Sequence, residues 1–96
     1  MSPDTKRLTR IMKALANEHR LELYFQIWKQ QQLAVPQSEC FVSDIAAKMK
    51  IGAPTISHHV KELEAAGLIT TQKVGKQITA SIEPETRDFL LERFKD

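Results

Sequence analysis

The tightest constraint on this chain is Gly52-Ala53-Pro54, set between two stretches of helical periodicity. Proline lacks a backbone N–H and clashes with the preceding turn, so it is tolerated only where a helix begins. Gly52 interrupts the pattern just before it. The flanking residues must therefore form two separate helices, the second starting near Gly52 or Ala53. Upstream, Ser43-Asp44-Ile45-Ala46-Ala47-Lys48-Met49-Lys50 reads as a short helix. Ser43 is its natural N-cap, Asp44 sits near the positive end of its dipole, and Ile45, Ala46 and Met49 share one face. Downstream, Ile56, Val60 and Leu63 form the apolar stripe of the second helix, and Gly67 is placed to end it in a left-handed conformation. Helix, short glycine-containing turn and helix make a helix-turn-helix unit.

Residues 68–74 and 77–82 are rich in threonine and β-branched side chains. Gly75-Lys76 between them suits a two-residue type II′ turn with glycine first. Ile78, Ala80 and Ile82 alternate, so one face of the hairpin should pack on the core. A helix-turn-helix followed by a β-hairpin is a winged helix. The fold class is thus mainly α with a small β-hairpin, α+β.

A chain of 96 residues reads as one domain. At this size only about 60–65% of the unfolded surface is buried, so the core is marginal and dimerisation is a common remedy. The first helix, about residues 4–16, carries Leu8, Ile11, Met12 and Leu15 on one stripe, after a frayed start at residues 1–4. Lys6, Arg7, Arg10 and Lys13 read as a solvated face, with flanking phosphates as the alternative. Asn17 should cap the second helix, whose Leu21, Tyr24, Phe25 and Trp28 mark it as central to the core. Arg20 reads as a structural ion-pairing or capping residue. Residues 30–39 form a long connection, since Pro36 stops the helix; a small pocket or a variable loop fits there equally. Phe41-Val42 is a candidate short strand against the hairpin. Pro84 starts a last helix to about residue 95, with Phe89, Leu90 and Phe94 as an apolar patch.

The net charge of +2 does not by itself establish a nucleic-acid partner, but the charge is unevenly spread. Between positions 48 and 76, Lys48, Lys50, Lys61, Lys73 and Lys76 stand against Glu62 and Glu64. Beyond position 82 the balance turns acidic. With Ile56, Val60 and Leu63 facing inward, Thr55, Ser57, His58, Lys61 and Glu62 face outward. The start of such a helix reads base edges in the major groove while other groups hold phosphates. Thr55, Ser57, His58 and Lys61 on this 53–66 recognition helix, and Lys73 and Lys76 on the 73–77 wing, are the candidate contacts to double-stranded DNA. Lys50 is a further candidate. His59 turns toward the stripe and reads first as partly buried and hydrogen-bonded within the fold, with DNA contact as the alternative.

Cys40, the sole cysteine, excludes an intrachain disulfide and reads as a small buried hydrophobe, a redox switch being the other option. No apolar run approaches membrane-spanning length and no basic-then-apolar leader opens the chain, so a soluble, cytoplasmic protein is expected. Nucleophile–base pairs, clustered carboxylates and glycine-rich phosphate loops are lacking; Ser57 and His58 are helix neighbours that do not face each other. An enzyme is not expected.

Pro54-Thr55-Ile56-Ser57-His58-His59-Val60-Lys61, with Leu63 and Ala66-Gly67-Leu68-Ile69, resembles the recognition helix of the ArsR/SmtB winged-helix repressors. Ala14-Leu15-Ala16-Asn17-Glu18-His19-Arg20-Leu21 resembles that family's second signature. The likeness runs over residues 8–82. It implies a dimeric repressor on an imperfect palindrome, joined through the first and last helices by Leu8, Ile11, Met12, Phe89, Leu90 and Phe94. Family metal sensors carry two cysteines where this chain has Phe41 and Ser43, or histidines on a last helix that here has none. No metal or other cofactor is therefore expected, and any signal is a small molecule, a partner protein or expression level. The competing function class is a winged-helix module that binds protein and not DNA.

Overall fold

The computed structural model describes residues 1–33 and 40–95. In order they form α1 (Pro3–Leu15), α2 (Glu18–Leu33), α3 (Val42–Met49), α4 (Ala53–Ala65), β1 (Ile69–Val74), β2 (Gln77–Ile82) and α5 (Pro84–Arg93). The strands pair antiparallel from Ile69↔Ile82 to Val74↔Gln77. This is the expected winged helix. The expected connection spans residues 30–39; α2 continues through its first residues to Leu33, and residues 34–39 lie outside the described residues.

α2 touches α1, α3, α4 and β2 and is the core's axis. Its fully buried residues are Leu23 and Ile27, which meet Ile11, Ile45, Leu63, Leu68 and Ile69. Each such side chain contributes about 1.5–3 kcal/mol by leaving water. The expected core face of α2 is only partly right. Tyr24 is buried, Leu21 and Trp28 are half-buried, and Phe25 points to solvent. The inner face is rotated because Leu23 and Ile27 meet neighbours on several sides.

The helix starts show where local chemistry won and where it lost. Ser2 caps α1, accepting from Thr5 N at 3.2 Å, so the N-terminus begins an ordered helix instead of fraying. Asn17 caps α2 as expected, accepting from Arg20 N at 3.0 Å. Ser43 does not cap α3. That helix begins two residues earlier than a Ser43 cap would set, at Val42 with Phe41 as N-cap, because Phe41 bridges to Thr79 and Cys40 O accepts Ala80 N at 3.0 Å. The expected strand at Phe41-Val42 is thus reduced to one bridge. Ser43 Oγ instead donates to Gln77 Oε1 at 3.4 Å, tying α3 to the hairpin.

The turn between α3 and α4 is made by a lysine. Lys50 adopts φ 57°, ψ 41°, whereas Gly52 is ordinary extended backbone at φ −66°, ψ 152°. The left-handed region costs a non-glycine residue about 1–2 kcal/mol. At the far end of α4, Gly67 has φ 75° as expected. Leu68 N donates to Leu63 O and Gly67 N to Glu64 O, both at 3.0 Å, the paired bonds of a Schellman cap. Thr86 Oγ1, buried on α5, donates to Gly67 O at 2.5 Å.

At the hairpin tip Gly75 has φ 64° while Lys76 keeps negative φ, the sign pattern of a type II′ turn. Ala80 and Ile82 are buried, but Ile78 is 40% exposed, contrary to the alternation reading. Ile78 faces an open groove shared with α3 and α4 instead of closed core.

Candidate nucleic-acid interface

α4 presents two chemically different faces. Ile56, His59, Val60 and Leu63 are buried, while Thr55, Ser57, His58 and Lys61 are all exposed. Its N-cap is Gly52, which supplies no side-chain bond, and no acidic residue lies in the first turn. The first N–H groups of α4 therefore keep their donor capacity toward an external acceptor.

Lys48, Lys50, Lys73 and Lys76 are exposed as well. No ion pair among the described residues involves any of these lysines or Lys61. The ion pairs lie elsewhere, on α1 and α5: Arg7–Glu85, Arg87–Asp88 and Arg93–Asp4. Among the described residues the arginines Arg7, Arg87 and Arg93 of α1 and α5 are paired, whereas the lysines of α3, α4 and the hairpin are not.

The hairpin is held to α4 by Thr71 Oγ1, which donates to Glu64 Oε2 at 2.6 Å. Between hairpin, α3 and α4 lies a groove of about 540 Å³ whose walls include Val42, Ile56, Val60 and Ile78. The exposed Ile78 is one wall of this groove. Ser43, Glu64, Thr71 and Gln77 have no sequence signature; they matter because the register of two distant segments brings them together.

His59 is buried, at 5% exposure, more deeply than expected and away from the outer face. Its Nδ1 accepts a hydrogen bond from Arg20 Nε at 3.4 Å. Desolvation, and then the positive charge of Arg20, hold its pKa below the ordinary imidazole value. Cys40 is buried too, and burial raises its thiol pKa, the opposite of an activated cysteine. Among the described residues no group of three or more His, Cys, Asp or Glu is placed to hold a metal ion. No helix of the described residues is long and apolar enough to cross a membrane.

The expected interface residues divide. Ile11 is 1% exposed and belongs to the protomer's own core, which corrects its assignment to a partner contact. Its place in the helical stripe was right; the stripe is wide enough for Ile11 to turn inward while Met12 stays outside. Leu8, Phe89 and Leu90 are half-buried, Met12 is exposed, and Phe94 is 68% exposed. Leu91 and Phe25, not foreseen, are also exposed, and the three helices α1, α2 and α5 frame an apolar groove of about 810 Å³. Arg7 is not simply solvated: its guanidinium binds Glu85 and stacks 4.2 Å from the Phe89 ring centroid.

The family model "Bacterial regulatory protein, arsR family" matches residues 32–71, less than half of the chain. Comparison with curated proteins gave no match. Several solved structures share the fold. HlyU from Vibrio cholerae N16961 is 18% identical, with 98% of each chain covered and a TM-score of 0.73. A homodimeric winged helix-turn-helix DNA-binding domain from Mycobacterium bovis, a possible ArsR-family regulator, is 26% identical over 93% of this chain and 77% of that one, with a TM-score of 0.68. An ArsR-like transcriptional regulator from Rhodococcus sp. RHA1 is 24% identical over 93% and 79%, with a TM-score of 0.65.

Proposed function

We infer that the chain is an ArsR-like winged helix-turn-helix protein, a DNA-binding transcriptional regulator that acts as a homodimer. One observation carries the reading: Thr55, Ser57, His58 and Lys61 stand together on the exposed face of α4, beside lysines that no ion pair neutralises.

In this reading the first half of α4 enters the major groove. The hydroxyls of Thr55 and Ser57 serve base edges or phosphates. His58 donates to a base or phosphate acceptor, and Lys61 contacts phosphate or guanine. Lys73 and Lys76 follow the adjacent minor groove or its phosphates, and Lys50 a flanking phosphate. Two protomers joined through α1 and α5 present their α4 helices about 34 Å apart to an imperfect palindrome. Met12, Phe94 and Leu91, with the half-buried Leu8, Phe89 and Leu90, supply the apolar joint. Occupying a promoter in this way blocks polymerase, so the protein is a cytoplasmic repressor with no membrane role. A small molecule or partner protein is the effector class. A redox switch at Cys40 is disfavoured by its buried, high-pKa thiol.

The test is selection of a duplex from a random-sequence pool by the purified protein, followed by affinity measurements on that duplex. Affinity should fall by about 10³–10⁵ between 50 and 200 mM salt if some 6–10 phosphates are held. Replacing His58 and Lys61 by alanine should each cost about 1–3 kcal/mol. A protein that enriches no duplex at 50 mM salt would be the protein-binding module instead.

A further inference from the structure

One side chain ties together three elements at the base of α4. Arg20, in the first turn of α2, donates from Nη1 to Ala14 O at 3.1 Å and from Nε to His59 Nδ1 at 3.4 Å. Ala14 is in the last turn of α1, where carbonyls have no helical partner. His59 is the buried residue beside His58, with ring centroids 6.0 Å apart. The guanidinium thus spans from the end of the terminal helix to the middle of the reading helix. Arg20 is itself pinned, since its own N–H is the one that Asn17 caps.

We propose that Arg20 is a positioning residue for DNA binding: it sets the angle between α1 and α4 through His59, and protonation of His59 releases that setting. The proposal rests on the DNA-binding reading above. If two copies join through α1, the spacing of the two α4 helices depends on how rigidly each α4 is referred to its own α1. The α1–α4 reference includes this clamp. The geometry requires His59 Nδ1 to be unprotonated, with the ring proton on Nε2. Adding a proton at Nδ1 removes the acceptor and sets two cations against each other. The charged and titratable groups facing His59 are Arg20 and His19 from α2 and His58 on its own helix; α1 contributes the neutral Ala14 carbonyl.

The sign separates this mechanism from simple charge. Acidification adds positive charge to the protein, which by itself strengthens phosphate binding. Opening the clamp weakens binding instead. On the selected duplex at constant ionic strength, wild-type affinity should fall from pH 7.5 to 5.5, by less than about tenfold because His59 is held below the ordinary imidazole range. In His59→Asn, whose Oδ1 stands where Nδ1 was but does not titrate, the ratio of affinities at the two pH values should stay near one or reverse. Arg20→Ala should bind at least about tenfold more weakly at pH 7.5 while remaining dimeric by sedimentation and helical by circular dichroism; Arg20→Lys should recover only part, having no fork to reach both acceptors. The proposal is overturned if wild type and His59→Asn share one pH ratio, or if wild-type affinity rises on acidification. Should Arg20→Ala fail to fold, the His59→Asn ratio still decides. Ring-nitrogen NMR of His59 reads the clamp without DNA: an Nε2–H tautomer with no duplex binding would sink the DNA-binding reading and leave the clamp standing.

Discussion

α4 and α5 begin alike and are held differently. Each has a proline in its first turn, at Pro54 and Pro84. α4 then buries four residues, among them Leu63 at 0% exposure, whereas α5 buries only Thr86. α5 is fastened to α1 by polar clasps instead, Arg7–Glu85 at one end and Arg93–Asp4, 2.8 Å, at the other, with Phe89 lying under both guanidiniums. Burial locks a helix in place; exposed ion pairs align it while leaving its apolar side chains free. In the proposed function, the helix that presents a fixed face to a duplex is the one locked by the core, and the helix that meets a second copy is the one that keeps Leu91 and Phe94 outside.

The largest expected effect is on the locked helix. Leu63→Ala should lower unfolding stability by about 2–5 kcal/mol in a urea titration, through lost contacts and the cavity left behind. A loss below 1 kcal/mol would mean that α4 is not anchored as described. On the other side of the comparison, Leu91→Asp with Phe94→Asp should weaken dimerisation by about 100-fold, read by sedimentation, because two apolar anchors become charged. Protomer helicity should not change. If instead the double variant unfolds while staying dimeric, the two helices are not held differently after all.

How far these contrasts could be read in advance varies residue by residue. The Ile56–Val60–Leu63 stripe was legible because a helix repeats its inner face regularly, and Pro54 left no other place for α4 to begin. Gly67 and Gly75 were legible for the same local reason: only a left-handed glycine suits each position. The outward set Thr55, Ser57, His58 and Lys61 followed directly from the stripe. Lys50 was not legible, since nearby Gly52 looks like the natural breaker and the strain at Lys50 is imposed by docking α3 and α4 on one core. Ser43 misled because a distant pairing, Phe41 with Thr79, moved the helix start. Ile11 and Ile78 lie on stripes whose period was right; how far the core extends under each stripe depends on tertiary packing. Arg20's three-way reach is likewise a fact of assembly.

Two smaller tests complete the ranking. Lys50→Gly should stabilise the fold by about 1 kcal/mol, because glycine accepts the left-handed conformation more readily, while removing one candidate phosphate contact. A thermal midpoint at or below the wild-type value would show that the turn is not strained. Glu85→Gln should leave the midpoint indistinguishable from wild type in moderate salt, since its clasp with Arg7 is open to water. A clear drop would place α5 nearer to α4 in its mode of attachment.

The hydroxyl of Thr86 joins α5 to the end of α4. It is the one buried residue of α5, and it bonds the carbonyl of Gly67, where the chain leaves α4 and turns into the hairpin. Glu83 N adds a second bond to Leu68 O, 3.1 Å, at the same corner. Deleting the chain from residue 84 onward would therefore do more than remove the proposed joint between subunits. It would unhook the corner from which the hairpin springs, and a truncated protein would carry its wing at an altered pitch even as a single copy.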